Sequence, residues 1–272
     1  MTLLRGDKIS KKIVEKFLFT PWRLWKPVWK VQSKSKIYLP IAAFIISTIY
    51  ISLVYALTIH FAEWRDYSIF DSSSIIDENI PFIKNSIFIY GAYYLLFIAM
   101  AVSVPLNKKG LMECIFTYQV LITLSTFCFI IFVLMPIKID TRDGLDLGKG
   151  LVLRLYEILY SADPPYNSWP SLHVSHSIFI SWILIRWIKK GEGILRLPEK
   201  IKQIDLLSRY LIPMCIWCLS ISIAVSTMTT KQHYFFDFIT GIIIAVMSII
   251  VLKKCIMDRK DNFDEFIEKL ES

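Results

Sequence analysis

The chain has 272 residues, of which 55% are hydrophobic and 20% charged, and its formal net charge is +8 at pH 7. The mean hydropathy is +0.51, and the apolar residues form long blocks that approach the roughly 20 residues needed to cross a bilayer core. This composition favours one integral membrane domain and argues against soluble domains, a nucleic-acid partner or a disulfide framework, since the cysteines all fall in or beside apolar blocks.

The N-terminal region, residues 1–36, is basic and rich in tryptophan. It carries ten Lys or Arg residues, and Trp22, Trp25 and Trp29 recur at helical spacing with basic residues between them. An amphipathic helix of this kind lies at the level of the lipid headgroups. We therefore expect an interfacial segment ahead of the membrane domain.

Six apolar blocks follow, at about residues 37–61, 80–104, 111–135, 170–187, 210–225 and 234–252. A short surface helix is predicted at about Leu151 to Tyr160, where leucine and isoleucine share one face. The expected fold is all-α, a six-span helical bundle. We expect a catalytic membrane domain over residues 37–256 and a charged cytoplasmic tail over 257–272.

The charges of the loops predict an orientation. The N-terminal region and the second and fourth loops are basic, whereas the first loop is acidic. Basic loops remain in the cytoplasm, which places both termini there. The third and fifth loops then share the opposite face, which is periplasmic, extracellular or luminal, and these loops lead into the two polar motifs of the chain.

The first motif is SWPSLHVSHS, residues 168–177, and the second is STMTTKQHYFFD, residues 226–237. Ser168 is a candidate helix cap and Pro170 suits a first helical turn, so the N–H groups that follow would form an anion site. In the second motif Asp237 lies one turn after His233. A carboxylate there can hold the proton on one ring nitrogen and leave the other nitrogen free to attack. The two motifs together suggest phosphoryl transfer.

The sequence P-S-L-H, combined with S-T-x5-H-x3-D, resembles the type 2 phosphatidic acid phosphatase superfamily, which includes haloperoxidases and sphingomyelin and inositol phosphorylceramide synthases. The resemblance implies that His233 is the nucleophile, that Asp237 orients it, and that His173 acts as general acid and then base. It also implies that Ser171 binds the phosphoryl oxygens. No metal or other cofactor is required by this scheme, and the expected partners are membrane lipids and a lipid phosphate or phospholipid substrate.

The chain departs from the family pattern in its cations. The Lys and Arg-Pro of the first motif are not intact, and Thr227 stands where an arginine is usual. The candidate replacements for binding the phosphate are Lys231, Arg142 and Lys138. Asn167 is a further candidate for binding the phosphate. Asp163 either lines the same phosphate pocket or stabilises a turn at residues 163–167.

Several alternatives stay open at this point. The sequence K-Q-H-Y-x-x-D is similar to the phosphosphingolipid synthase branch, which favours head-group transfer to an alcohol as the alternative to hydrolysis. A non-catalytic scaffold is the more distant alternative. His173 and His176 form an HxxH that is either a metal pair or, as we prefer, packing behind the site. The lipid substrate and the oligomeric state are not predicted.

Overall fold

The computed structural model describes residues 15–142, 144–258 and 260–272. Residues 1–14 of the predicted interfacial segment lie outside the described residues. The expected all-α fold is confirmed, since the described ranges contain helices and, apart from them, one isolated bridge between Ile137 and Asn167. The described residues include five helical stretches that are long and apolar enough to cross a membrane: Tyr38–Arg65, Ser86–Ser103, Lys108–Leu134, Leu206–Thr229 and Phe235–Asp258.

The helices in chain order are α1 (Trp25–Val31), α2 (Tyr38–Arg65), α3 (Ile75–Asn79), α4 (Ser86–Gly91), α5 (Tyr93–Ser103), α6 (Lys108–Leu134), α7 (Leu151–Ala162), α8 (Leu172–Lys190), α9 (Glu199–Lys202), α10 (Ile212–Thr229), α11 (Phe235–Lys253) and α12 (Phe263–Glu271). One turn of π-helix, Leu206–Leu211, leads into α10, and another, Lys254–Asp258, extends α11.

Helix α8 lies at the centre of the bundle. It contacts α5, α6, α10 and α11, and most of its side chains are buried. It corresponds to the fourth predicted span but is not among the five apolar helices, because its sequence includes three serines, two histidines and three basic residues. A helix that other helices surround can carry polar side chains at a depth where a lipid-facing helix cannot.

The second predicted span begins later than expected. Its first helix, α4, starts at Ser86, whereas the apolar block starts at Ile80. The backbone N–H of Ile83 donates to the carbonyl of Thr229 at 2.9 Å. Residues 80–85 therefore form a connection held against the end of α10, because their backbone groups find partners outside a helix.

The described part of the N-terminal region packs on the bundle. Trp25 and Trp29 are buried in the core, and the indole N–H of Trp25 donates to the Gln119 side chain at 3.1 Å. Helix α1 contacts α2 and α12, and α12 buries its own apolar stripe. These two tryptophans thus face protein and not lipid headgroups, since α12 supplies an apolar partner that local spacing does not show.

The predicted surface helix is present as α7. Its Tyr156 is buried and packs against Phe82, with ring centroids 5.4 Å apart. Leu151 and Ile158, on the apolar face, are exposed. The apolar face of α7 is therefore exposed at Leu151 and Ile158 and partly buried at Leu155 and Leu159.

Candidate active site

The two polar motifs meet because the starts of α8 and α11 lie against each other. The backbone N–H of Ser171 donates to the carbonyl of Asp237 at 3.3 Å. Gly241 permits this approach, since a Cβ at that position would lie 2.9 Å from the Ser171 carbonyl oxygen and 2.9 Å from the Cβ of Val174. The contact brings the helix that carries His173 next to the helix that follows His233.

The cap of α8 differs from the predicted one. Ser171, not Ser168, is the N-cap, and its hydroxyl accepts the Val174 N–H at 3.4 Å. Ser168 instead donates to the Ile137 carbonyl at 3.2 Å. The bridge between Ile137 and Asn167 keeps this stretch extended, so the helix begins after Pro170 and not at it.

His233 and Asp237 are adjacent and buried. The His233 Nδ1 lies 3.6 Å from the Asp237 Oδ2, and the same oxygen accepts the Tyr234 N–H at 2.9 Å. Within the described residues, His233 Nδ1 and Asp237 Oδ1 make no hydrogen bond. The pair is close, as expected, but His233 lies two residues before the start of α11 and not in its first turn. Both side chains retain hydrogen-bonding capacity.

The backbone of His233 is held by the turn that precedes α11. The Thr227 carbonyl accepts the N–H groups of Gln232 at 2.9 Å and of His233 at 3.2 Å. Lys231, directly before Gln232, has φ 55°, a left-handed conformation. Thr227, which stands in place of an arginine, thus holds this turn through its carbonyl. Its hydroxyl donates to the Ala224 carbonyl within α10 at 2.7 Å.

His173 faces His233 and is enclosed by tyrosines. The two imidazole centroids are 6.0 Å apart. The rings of Tyr90 and Tyr93 lie 4.5 Å and 4.4 Å from that of His173, and the Tyr90 hydroxyl is 3.5 Å from its Nδ1. Sequence reasoning missed both tyrosines, because they occur in an apolar block without a recognisable motif.

His176, one turn after His173, contacts Tyr93 and the neighbouring helix α6. Its Nδ1 lies 2.7 Å from the Tyr93 hydroxyl, and its Nε2 lies 2.9 Å from the Ser125 hydroxyl. Both ring nitrogens thus have hydroxyl partners inside the bundle. This arrangement matches the packing interpretation of the HxxH sequence.

A cavity of about 260 Å³ opens beside the two histidines. His173, His176, His233 and Asn167 line one side of it, and the rest of its wall is largely apolar and aromatic, with Phe44, Ile51, Tyr55, Tyr94, Phe97, Ile98, Phe132 and Leu172. The site therefore combines a small polar wall with an apolar space between α2, α5 and α8. A molecule with a polar head and an apolar chain fits this division.

Two of the predicted phosphate-binding cations point elsewhere. Lys231 donates to the carbonyl of Ile80 at 2.7 Å and to that of Asp77 at 3.4 Å, and burial lowers the pKa of its ammonium group. Lys138 lies 3.5 Å from the Asp66 carboxylate and over the ring of Tyr166. Among the described residues that line the cavity, neither lysine is present.

Arg142 lies closer to the histidine turn. Its guanidinium donates to the Asp163 carbonyl at 2.8 Å, the Gln232 side chain at 2.8 Å and the Lys231 carbonyl at 3.4 Å. It also covers the ring of Tyr160 at 4.7 Å. Arg142 thus holds the residues directly before His233 against the loop that precedes α8.

Asn167 and Asp163 lie on the same side of the site. The amide of Asn167 donates to the Thr58 hydroxyl at 3.2 Å, and within the described residues its Oδ1 makes no hydrogen bond. The Asp163 carboxyl accepts the hydroxyl of Tyr55, and burial raises the pKa of this carboxyl. Tyr55 has no signal in the sequence, since it lies inside the first apolar block.

Residues 149–261 of the chain match the model of the PAP2 superfamily. This segment contains both motifs, so the resemblance drawn from them is confirmed at the level of the superfamily. A search of curated proteins and a search of solved structures found no significant match to the chain.

Proposed function

We propose that this chain, whose residues 149–261 belong to the PAP2 superfamily, is a membrane-embedded phosphatase or phosphotransferase that forms a phosphohistidine on His233. The observation that carries the proposal is the buried pair of His233 and Asp237, 3.6 Å apart. His173 lies opposite this pair, and the two histidines line an apolar cavity.

In the first step, Asp237 keeps the proton on the near nitrogen of His233, so the lone pair of the other nitrogen attacks phosphorus. The bond from phosphorus to the lipid oxygen breaks, and that oxygen takes a proton from His173. The N–H groups of Leu172 and His173 at the start of α8, with the Ser171 hydroxyl, bind the phosphoryl oxygens that gain charge.

In the second step, His173 takes a proton from water or an alcohol, whose oxygen attacks the phosphorus. The phosphorus–nitrogen bond then breaks, and its electron pair returns to His233. When water attacks, a phosphomonoester yields free phosphate and a phosphodiester yields the phosphorylated head group. When an alcohol attacks, the product is a new phosphate ester. The chain returns to its starting protonation state in both cases.

The proposed orientation has α8 as a sixth span, both termini in the cytoplasm and the histidines on the opposite side. The charge distribution along α8 supports it. His173 lies in the first turn, whereas Arg186, Lys189 and Lys190 lie at the other end, and basic residues mark the cytoplasmic side.

Head-group transfer is the second candidate, and the positions of the cations favour it. A phosphomonoester carries up to about two negative charges near neutral pH, whereas a phosphodiester carries one. Lys231 and Lys138 are both engaged by other groups outside the cavity. A site with little positive charge in its wall suits the less charged phosphodiester, as in the phosphosphingolipid synthase branch.

The decisive experiment measures product release by the purified chain in detergent across lipid phosphates and phosphodiester lipids. Each lipid is tested with and without diacylglycerol, ceramide or inositol as acceptor, and His233→Ala is the blank. Free phosphate without acceptor identifies a phosphatase, and product only with acceptor identifies a transferase. If no lipid reacts, vanadate does not bind and no acid-labile phosphoenzyme forms, the proposal is wrong and the scaffold alternative is favoured.

A further inference from the structure

A second groove lies at the opposite end of α8 from the histidines. We call it the basic groove, and it is lined by Trp182, Ile185, Arg186, Lys189, Lys190 and Trp217. Its volume is about 360 Å³. Arg186 follows His173 by 13 positions, which is roughly 20 Å along a helix. The basic groove is therefore separate from the histidine cavity.

The basic groove has more positive than negative charge. Glu113 is buried, and one of its oxygens is 3.1 Å from the Arg186 guanidinium and 2.7 Å from the Lys190 ammonium. The other oxygen accepts the Trp187 indole N–H at 3.3 Å. One carboxylate thus faces two cations, and Lys189 beside them is exposed.

Part of the hydrogen-bonding capacity of these cations is unused. Within the described residues, the Nε of Arg186 makes no hydrogen bond although the atom is buried, and Lys189 has no ion-pair partner. Glu113 holds the guanidinium and the ammonium of Lys190 in place. The groove thus presents the exposed Lys189 ammonium and the partly exposed Arg186 side chain to an anion that enters it.

The walls of the groove suit a lipid. Trp182 and Trp217 flank the cations, and the Lys253 ammonium lies 5.5 Å from the Trp182 ring centroid. Tryptophan is enriched at the boundary between headgroups and acyl chains. Beside the groove, α10 exposes apolar side chains that include Met214 and Ile221.

We propose that the basic groove binds the headgroup of an anionic phospholipid of the surrounding bilayer, with the acyl chains along α10. Basic pockets between membrane helices bind phosphate-bearing headgroups in this way. The phosphate is held by Arg186 and Lys189, and the bound lipid is not the substrate. This inference does not depend on the proposed enzymatic activity.

The test uses the purified full chain in phosphatidylcholine vesicles. Brominated phosphatidylglycerol or brominated phosphatidylcholine is added, and quenching of tryptophan fluorescence is measured. The chain has eight tryptophans, so Trp182→Phe and Trp217→Phe identify the signal from the groove. We expect stronger quenching by the anionic lipid, with the excess reduced when these two tryptophans are replaced.

The charge variants are Lys189→Gln and Arg186→Gln, and Lys200→Gln in the short helix α9 is the matched control. Each groove variant should weaken the apparent affinity for phosphatidylglycerol about fivefold, which corresponds to ~1 kcal/mol for one basic residue at an anionic surface. The control should behave as the unaltered chain. Lys189 is exposed, so Lys189→Gln keeps the test valid if Arg186→Gln folds poorly.

Three results would overturn the inference. The first is equal quenching by the two brominated lipids. The second is an excess for the anionic lipid that neither groove variant reduces. The third is full displacement of brominated phosphatidylglycerol by an equal concentration of inorganic phosphate, which would indicate a site for a free anion and not for a lipid.

Discussion

The two ends of α8 use polar residues in different ways. At the first end, His233, Asp237 and Asn167 each have a buried atom without a hydrogen bond in the described part of the chain. At the other end, the carboxylate of Glu113 is fully engaged by Arg186, Trp187 and Lys190. The helix dipole favours anions at the first end and cations at the second. The first end therefore keeps unpaired polar atoms beside the cavity, which the proposed mechanism assigns to a ligand. At the second end the Glu113 carboxylate has its partners within the protein, although the Nε of Arg186 is buried without a hydrogen bond in the described part of the chain.

The sharpest test of this comparison is His233→Ala, which should reduce turnover to the background rate because the proposed nucleophile is lost. His60→Ala is the control, since His60 is exposed and pairs only with Glu63. Turnover and the acid-labile phosphoenzyme are measured together. Full turnover by a folded His233→Ala variant would contradict the mechanism.

The second largest effect is expected for His173→Ala. Loss of a general acid lowers the rate ~10²–10⁴-fold. A substrate whose leaving group is weakly basic, such as a nitrophenyl ester, should lose much less, since its oxygen needs no proton. The comparison uses kcat/KM, which reports the steps up to formation of the phosphoenzyme and so excludes the later role of His173 as base. An equal loss of kcat/KM for both substrates would argue for a merely structural contribution of His173.

Gly241→Ala should disturb the first end without touching a reacting group. The new Cβ would lie 2.9 Å from the Ser171 carbonyl, so α8 and α11 must separate, at a cost of about 1–3 kcal/mol. Turnover should fall because His173 and His233 move apart. Gly91→Ala is the matched control, since a Cβ there meets nothing within 4 Å. Equal kcat values for the two variants would show that the close approach is not needed.

At the other end of α8, Glu113→Gln is expected to lower the stability of the protein and to leave turnover unchanged. The loss leaves Arg186 and Lys190 without their carboxylate. Their side chains are 28% and 30% exposed, so the expected destabilisation is about 1–3 kcal/mol, less than for a fully buried pair. Thermal unfolding of Glu113→Gln is compared with that of Glu199→Gln. The Glu199 side chain is 79% exposed in its pair with Lys202, so its loss should change little. A large loss of kcat per folded molecule would contradict a purely structural role of Glu113.

Local sequence patterns predicted the long helices, the histidine–aspartate pair and the superfamily of this protein. The apolar blocks predicted the long helices, because a segment that faces lipid needs nearly continuous apolar residues. The spacing of four between His233 and Asp237 predicted their proximity, and the structure brings them to 3.6 Å, although His233 lies in the turn before α11 and not on its face. The two motifs also predicted the superfamily, which the family comparison confirmed.

The tertiary structure decided which side chains surround these residues. Tyr55, Tyr90 and Tyr93 reach the site from α2, α4 and α5, and no local pattern distinguishes them from other apolar-block tyrosines. The sequence alone likewise could not show that Lys231 turns to the Ile80 carbonyl or that Trp25 and Trp29 pack within the protein. Helix formation and spacing depend on neighbours along the chain, whereas the direction of a long side chain depends on partners that only the packing of distant helices brings near.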